Sequence, residues 1–324
     1  MTILRRKALL APIAAALATP ALLRGAFAQS AGQPAAPALS QAPGYYRFRL
    51  GDYIVTTVHD GFSRRPVEGL VRNAPTAEVQ AVLAEAFMPT TTYDGVYTVP
   101  FVDTGRLLIA FDTGTGGQMG PTSGLLARNM QAAGIDPARV GLVVITHCHR
   151  DHIHGLTTAE GQAVFPNAEV AVGEIEWAWW SDPGNESRSP EGQRVNFANV
   201  ARRFAPYQAR LRRYRDGEEV APGIRAIAAY GHTPGHMIFH VADGAEELML
   251  LADTTHRPEV FARRPGLHSL FEFDAAMAEV TRRRVLDRVA VDRVRVAGYH
   301  FPFPATGHIA RDGEGYRFFP VEWS

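Results

Sequence analysis

The sequence predicts a layered α/β fold in which groups of strands alternate with helices. Apolar and β-branched residues recur at strand-like intervals at 45–59 and 96–112, and again in the second half of the chain. Helical patterns lie between these groups of strands. No Gly-x-Gly-x-x-Gly motif follows a strand, no phosphate-binding loop is present and no repeat of solenoid period is evident. We therefore expect stacked layers of sheet and helix, and not a dinucleotide-binding fold.

The first half of the chain predicts two hairpins and two helices. Gly51, Asp52 and Gly105 break the two strand regions, which indicates antiparallel hairpins. Helices are predicted at 76–87, which begins at a capping threonine, and at 121–133, which ends before a glycine.

The second half begins with a strand that leads toward polar residues. The continuous apolar run at 140–146 is typical of a buried strand, and the richest polar cluster of the chain follows it directly. Beyond it we predict helices at 177–180, 195–211 and 273–288, and strands at 224–229, 237–241, 248–251, 293–298 and 316–321.

The first 28 residues have the pattern of a signal peptide. Basic residues at 5–7 precede an apolar run at 8–23, and residues 26–28 read Ala-Phe-Ala, a cleavage pattern. The adjacent arginines favour the twin-arginine export route, although paired basic residues also occur in ordinary secretory signals. We expect a periplasmic or secreted protein, with residues 29–43 as a flexible lead-in and 44–324 as the folded domain.

Composition excludes several function classes. Cleavage after residue 28 would remove four of the 33 basic residues and no acidic ones, so the mature chain is slightly acidic and nucleic acid is not an expected partner. No membrane association is expected after the signal is removed. Lys7 is the single lysine, so the mature chain cannot perform Schiff-base or pyridoxal-phosphate chemistry. Cys148 is the single cysteine, which rules out an internal disulfide.

Residues 146–152 read Thr-His-Cys-His-Arg-Asp-His and point to a metal site. Imidazoles at i and i+2 project to one side of an extended chain, so His147 and His149 can hold one ion. The turn that follows brings Asp151 and His152 toward a second ion. A solvated loop that is rich in histidine by chance is the alternative, and the downstream sequence argues against it. Further candidate ligands follow predicted strands, namely His232, Asp253 and His300.

These motifs resemble the metallo-β-lactamase superfamily, whose fold is an αββα sandwich with a two-metal site at one edge. The pattern is His-x-His-x-Asp-His, then Gly-His-Thr-Pro-Gly-His at 231–236, then an aspartate at a strand end and a late histidine. The resemblance implies that the first metal is held by His147, His149 and His232, the second by Asp151, His152 and His300, and that Asp253 bridges them. It implies two divalent ions, zinc in particular, and a bridging hydroxide as nucleophile held at Asp151 and Asp253.

The other histidines and the cysteine have different expected roles. Cys148 lies between two ligands at odd register, so its side chain should point away from the ions. His236 is expected to be a hydrogen-bonding strut, His256 to touch either the substrate or the ligands, and His308 to be structural.

A closer similarity, to the methyl parathion hydrolase group, rests on Gly-Tyr-Tyr-Arg-Phe at 44–48, Leu-Gly-Asp at 50–52, and the segments 120–122, 165–168 and 315–318. That group contains dizinc enzymes that cleave organophosphate triesters, lactones or aryl esters, and they are commonly dimers. The similarity implies a homodimer and a small-molecule substrate with an apolar or aryl group. Met119 stands where those enzymes are expected to place an aromatic residue. Trp179 and Phe197 are expected to supply aromatic surface instead, so the expected substrate pocket contains Met119, Trp179, Phe197 and His256.

Three other functions are compatible with the same motifs. Sulfur dioxygenases resemble this chain at the same histidines and aspartate but use one iron, and ligand identity alone does not fix the metal. A lactonase or a β-lactamase-type hydrolase of C–O or C–N bonds is a second alternative, although the aspartate at 253 disfavours antibiotic hydrolysis. A non-catalytic metal-binding protein of the same fold is the third.

Overall fold

The computed structural model describes residues 42–189 and 191–322, so the predicted signal peptide and nearly all of the predicted lead-in lie outside the described residues. The strands, in chain order, are β1 Tyr45–Leu50, β2 Tyr53–Pro66, β3 Thr92–Asp103, β4 Leu108–Phe111, β5 Val140–Ile145, β6 Glu169–Gly173, β7 Leu211–Tyr214, β8 Glu219–Ala221, β9 Ile224–Ala228, β10 Met237–Asp243, β11 Glu246–Ala252, β12 Arg295–Gly298, β13 Thr306–Asp312 and β14 Gly315–Pro320. The α-helices are α1 Thr76–Glu85, α2 Leu126–Ala132, α3 Arg150–Ile153, α4 Glu174–Ser181, α5 Pro183–Arg188, α6 Glu191–Phe204 and α7 Ala275–Asp292.

The strands form two sheets. The first has the order β1-β2-β3-β4-β5-β6-β7, antiparallel from β1 to β4 and parallel from β4 to β7. The second has the order β14-β13-β12-β11-β10-β9-β8, with β11 and β12 as its parallel pair. Each sheet therefore contains parallel neighbours whose carboxyl ends meet at one edge, which is where ligands commonly collect in α/β proteins.

Apolar side chains pack between the sheets and outside each of them. Val55 and Phe111 of the first sheet share a buried cluster with Phe239 and Leu250 of the second, and the rings of Phe111 and Phe239 are 5.0 Å apart. Residues of α2, α4 and α6 cover the outer face of the first sheet, and residues of α7 cover that of the second. This is the predicted αββα sandwich. No described helix has both the length and the apolar character that a membrane span requires.

Two predicted helices differ from the structure, and four observed strands lack a prediction. The helix predicted at 121–133 begins only at Leu126, because Gly120 and Gly124 adopt positive φ angles of 114° and 88° that a helix cannot contain. The helix predicted at 195–211 begins earlier and ends at Phe204, where a 3₁₀ turn and then β7 follow. The strands β6, β7, β8 and β13 were not predicted.

Candidate metal centre

The seven predicted ligands lie together where the chain leaves the strands of both sheets. β5 ends two residues before His147, and Asp253 follows β11 directly. His232 lies in the loop after β9, and His300 comes two residues after β12. The sandwich therefore brings to one edge side chains that are up to 153 residues apart in sequence.

The first group of ligands consists of His147, His149, His232 and Asp253, whose ligand atoms all lie within 4.8 Å of one another. Nε2 of His232 is 3.2 Å from Nε2 of His147 and 2.9 Å from Nδ1 of His149. The same atom lies 3.2 Å from Oδ2 of Asp253. Three ring nitrogens and a carboxylate oxygen that converge in this way match the tetrahedral donor set of a divalent cation such as zinc.

The second group consists of Asp151, His152 and His300, again with ligand atoms within 4.8 Å. Asp253 also faces this group, because its Oδ1 is 3.3 Å from Nε2 of His152 and its Oδ2 is 3.0 Å from Nε2 of His300. Nε2 of His152 and Oδ1 of Asp253 are buried and have no hydrogen-bond partner among the described residues. Buried polar atoms are rarely left unpaired, so a cation between the groups fits the residues present.

His256 lies closer to the centre than the sequence alone indicated. Its Nε2 is 3.5 Å from Oδ2 of Asp253, and together with His300 the two residues form a third set of potential ligands. Both ring nitrogens of His256 are buried and lack hydrogen-bond partners among the described residues. The ring therefore borders both the ligands and the cavity described below.

Residues behind the ligands fix the orientation of the rings. Nδ1 of His300 lies 2.7 Å from the Val96 carbonyl oxygen, and Nδ1 of His152 lies 2.8 Å from Oδ2 of Asp112. A ring that donates from Nδ1 presents its Nε2 lone pair to a metal. His236 acts as the expected strut, since its Nδ1 donates to the Ala229 carbonyl and its Nε2 accepts from the Asp253 amide.

Glu176 joins two ligand loops and was not identified from the sequence. It is fully buried, and its Oε1 accepts hydrogen bonds from the Cys148 amide at 2.9 Å and the Trp180 indole at 2.6 Å. Its Oε2 accepts from the Thr233 hydroxyl at 2.7 Å and the Gly235 amide at 2.9 Å. The signal that could have revealed it is a carboxylate four residues before Trp180, on the face of an otherwise apolar helix turn. The Cys148 side chain itself packs in the core.

Burial and charge prepare the ligands for a cation. Burial lowers the pKa of His147 and His149 well below the usual range and that of His232 to about 3, so these rings are neutral at neutral pH. Burial acts to raise the pKa of Asp253, but His300 and His152 outweigh it and hold that pKa well below its usual range. Three neutral imidazoles and an ionised carboxylate are the protonation states in which these groups bind metals.

A cavity of about 330 Å³ opens onto the centre. His149, Asp151, His232, Asp253 and His300 line it, together with Met119 and His256 of the expected pocket residues. The other two expected residues lie elsewhere.

Phe197 is buried in the core, with its ring 4.8 Å from that of Trp180, and Trp179 packs edge-on against Phe273. The aromatic wall expected from Trp179 and Phe197 is therefore absent from this cavity, because α6 turns Phe197 toward α4 and α4 turns Trp179 toward Phe273. The cavity wall that sequence analysis missed contains Arg65, Tyr93, Arg257 and Phe271.

A model of the metallo-beta-lactamase superfamily matches residues 96–300, which include all seven predicted ligands. A solved structure described as hydrolase AbOPH in the beta lactamase superfamily is 28% identical, with 88% of this chain and 100% of that chain covered and a TM-score of 0.83. The dizinc quorum-quenching lactonase AidC is 24% identical, with 87% and 98% covered and a TM-score of 0.82. A probable metal-dependent hydrolase from Staphylococcus aureus is 17% identical, with 86% and 99% covered and a TM-score of 0.68. No curated protein matches the chain.

Proposed function

Because the chain belongs to the metallo-β-lactamase superfamily, we propose that it is a dinuclear-metal hydrolase of aryl esters, lactones or phosphotriesters, similar to the methyl parathion hydrolase group. The observation that carries this proposal is the position of Asp253 between the two groups of ligands. Its Oδ2 lies 3.2 Å from Nε2 of His232 in the first group and 3.0 Å from Nε2 of His300 in the second, and its Oδ1 lies 3.3 Å from Nε2 of His152. A carboxylate so placed suits a pair of ions better than a single one.

In this proposal His147, His149 and His232 would hold the first ion, Asp151, His152 and His300 would hold the second, and Asp253 would serve both. Two bound divalent ions acidify a shared water and polarise a carbonyl or phosphoryl oxygen. The chain itself orients the rings through Asp112 and Glu176. It also excludes bulk water from the ligands, since His147 and His152 are fully buried.

The substrate class is argued from the cavity and from similarity. Met119, Leu270 and Phe271 give part of the cavity an apolar surface that suits an alkyl or aryl group. The 28% identical relative is described as a hydrolase. The lactonase AidC is a neighbour in fold, which places lactones among the substrates to be tested.

The test measures metal content of the purified mature protein together with hydrolysis of 4-nitrophenyl acetate, δ-valerolactone and dimethyl 4-nitrophenyl phosphate. We expect two zinc ions per chain, turnover of at least one substrate, and loss of both in Asp253→Ala. Asp292→Ala is the matched control, because this exposed aspartate lies at the end of α7 and pairs only with Arg288 among the described residues. One iron per chain with no hydrolysis, and oxygen uptake with a persulfide, would instead identify an oxidoreductase.

We also propose that the protein is exported and dimeric. Export is tested by amino-terminal sequencing of periplasmic protein, which should begin at Gln29, and by replacing Arg5 and Arg6 with lysine. Accumulation of the uncleaved chain in the cytoplasm of the double variant supports the twin-arginine route, and unchanged export supports the general secretory route. Light scattering of the mature protein gives the oligomeric state, and a monomer mass contradicts the dimer.

A further inference from the structure

One wall of the cavity carries three polar side chains that the metal centre does not use. Arg65 on β2 and Tyr93 on β3 are direct partners across the antiparallel pair, so their side chains lie on the same face of the sheet. Arg257, in the segment after β11, joins them at the cavity surface. These three residues are called the polar wall below.

The donors of the polar wall have spare hydrogen-bonding capacity. Tyr93 is 6% exposed, and its hydroxyl has no hydrogen-bond partner among the described residues. Arg257 is 7% exposed, and its Nε also has no hydrogen-bond partner among the described residues. Its guanidinium makes one long hydrogen bond, of 3.3 Å to the Asp94 carbonyl, and one of 3.5 Å to the Met88 sulfur, which is a weak acceptor. Buried donors that lack strong acceptors are suited to receive an acceptor from a ligand.

The balance of charge at the polar wall favours an anion. No ion pair of Arg65 is found within residues 42–189 and 191–322, and its guanidinium lies 5.5 Å from the centre of the Phe271 ring. Glu259 forms an ion pair with Arg257, with its Oε2 3.3 Å from Nε but in no hydrogen bond with it. The other carboxylates of the cavity, Asp151 and Asp253, belong to the proposed metal sites, where bound cations would neutralise them. The guanidinium groups of Arg65 and Arg257 beside one partly exposed carboxylate then leave a positive surface in a concave site, which attracts anionic ligands.

We propose that the polar wall is a subsite for a carboxylate carried by the substrate, so that the preferred substrates are esters or lactones whose acyl part bears an acidic group. The inference rests on the proposed hydrolase function. In hydrolysis of such an ester, water adds to the acyl carbon and the acyl–oxygen bond breaks, releasing the alcohol and a dicarboxylate. The acidic group is unchanged in this reaction and serves to position the substrate, with arginine providing the two-pronged donor geometry that carboxylates prefer.

The test compares two aryl esters of equal chain length on the metal-loaded protein. Mono-4-nitrophenyl adipate carries a carboxylate where 4-nitrophenyl hexanoate carries a methyl group. We expect the adipate ester to be preferred in kcat/KM by about tenfold or more, the size of effect typical of charge-assisted hydrogen bonds. Calorimetric binding of adipate and hexanoate to the same protein gives a second reading that does not depend on turnover.

The variants are Arg65→Gln, Arg257→Gln and Tyr93→Phe, of which the last removes a single hydroxyl and retains the ring. Each should reduce the ratio of kcat/KM for the adipate ester to kcat/KM for the hexanoate ester, with the loss appearing more in KM for the adipate ester than in kcat. Arg64→Gln is the matched control, because Arg64 is the neighbouring residue on β2 but is largely exposed and pairs with Asp94.

The outcomes separate the two proposals. If neither ester is hydrolysed and the lactone and phosphotriester named above are also inert, the proposed function fails, and adipate binding that is weakened in Arg65→Gln but not in Arg64→Gln still supports the subsite. If hexanoate is hydrolysed as well as adipate and neither acid shows preferential binding, the hydrolase stands and the subsite is overturned. An equal loss of preference in Arg64→Gln would show a general charge effect and also overturn it.

Discussion

Nδ1 of His152 donates a hydrogen bond to Oδ2 of Asp112 across 2.8 Å, between two side chains that are both buried. Asp112 directly follows β4, and it also accepts hydrogen bonds from the amide and hydroxyl of Thr146, each at 2.8 Å. One carboxylate thus fixes both a predicted ligand ring and the residue that precedes His147. The conformation of the second ligand group depends on this carboxylate.

Replacing Asp112 with asparagine should weaken the second metal site. Asparagine has nearly the same shape and tolerates the positive φ of 65° at this position, so the fold should survive. The amide lacks the negative charge that favours the Nδ1–H form of His152, and changes of this kind cost about 10- to 100-fold in metal affinity. Competition between the protein and a chromophoric chelator measures that affinity. Asp103→Asn, on β3 of the same sheet, is the control, and equal affinities of the two variants would contradict the prediction.

Replacing Glu176 with glutamine should destabilise the metal-free fold. Burial raises the pKa of Glu176 and its four hydrogen bonds oppose this shift. An amide NH₂ group in place of one oxygen must face the donors of either Cys148 and Trp180 or Thr233 and Gly235, and each unsatisfied buried donor costs about 1–3 kcal/mol. We expect the free energy of unfolding in urea to fall by at least about 2 kcal/mol.

The control for that measurement is two residues away on α4. Glu174 forms an exposed ion pair with Arg215, so Glu174→Gln should change the free energy of unfolding by less than about 1 kcal/mol. Similar losses in both variants would mean that the four hydrogen bonds of Glu176 contribute no more than a surface contact.

The ligand residues could be predicted because their pattern is local. Two histidines at alternate positions after a buried strand, and single candidates that follow other strands, already specify one edge of a layered fold. The alternation of strand groups and helices predicted a layered α/β fold, and the αββα sandwich was implied by the resemblance of the ligand motifs to the metallo-β-lactamase superfamily. In these cases the sequence pattern that supports the prediction lies within a few residues of the strand or helix concerned.

The hydrogen-bonding role of Glu176 and the polar wall could not be predicted because the partners of these residues are distant in sequence. The donors to Glu176 come from positions 148, 180, 233 and 235, and only the folded chain brings them together. Arg65 and Tyr93 become neighbours through the register of β2 and β3. The strand β7 was missed for a related reason, since two of its four residues are arginines and its strand conformation depends on pairing with β6.

The same limit explains the pocket aromatics. Trp179 and Phe197 lie on helices. The periodicity of a helix predicts which residues share a face, but not the element against which that face packs. Met119 and His256 lie in loops beside strand ends, where the direction toward the cavity follows from the position of the ligands.

His59 should make the fold less stable in mild acid. Burial lowers its pKa, while a hydrogen bond that the ring donates to the Tyr97 backbone carbonyl acts in the opposite direction. The unfolded chain therefore binds a proton more readily than the folded chain, so stability is lost as the pH falls below about 6.5 toward the lowered pKa. Urea unfolding gives the free energy of unfolding of the wild type and of His59→Gln at pH 7 and at pH 5. The loss of free energy between the two pH values is then compared between the two proteins, so that effects of pH common to both cancel. A loss of stability that is the same in both proteins would contradict the assignment to His59.

Met119 should determine how well the cavity binds apolar groups. Its partly buried side chain lines the cavity and packs against the core cluster beneath it. Met119→Ala removes apolar contact area from the bound state, so we expect KM for 4-nitrophenyl esters to rise about three- to tenfold with kcat little changed, since about 1 kcal/mol of uniform binding is lost. Met119→Phe provides an aromatic at this position, as expected in the parathion enzymes, and should lower KM for aryl substrates relative to Met119→Ala.

Met277→Ala, at a 47% exposed methionine on α7, is the control and should leave KM unchanged. If KM is equal in Met119→Ala and Met277→Ala, aryl groups bind elsewhere, and Phe271 becomes the next residue to replace because it is the aromatic ring that lines the cavity beside Arg65.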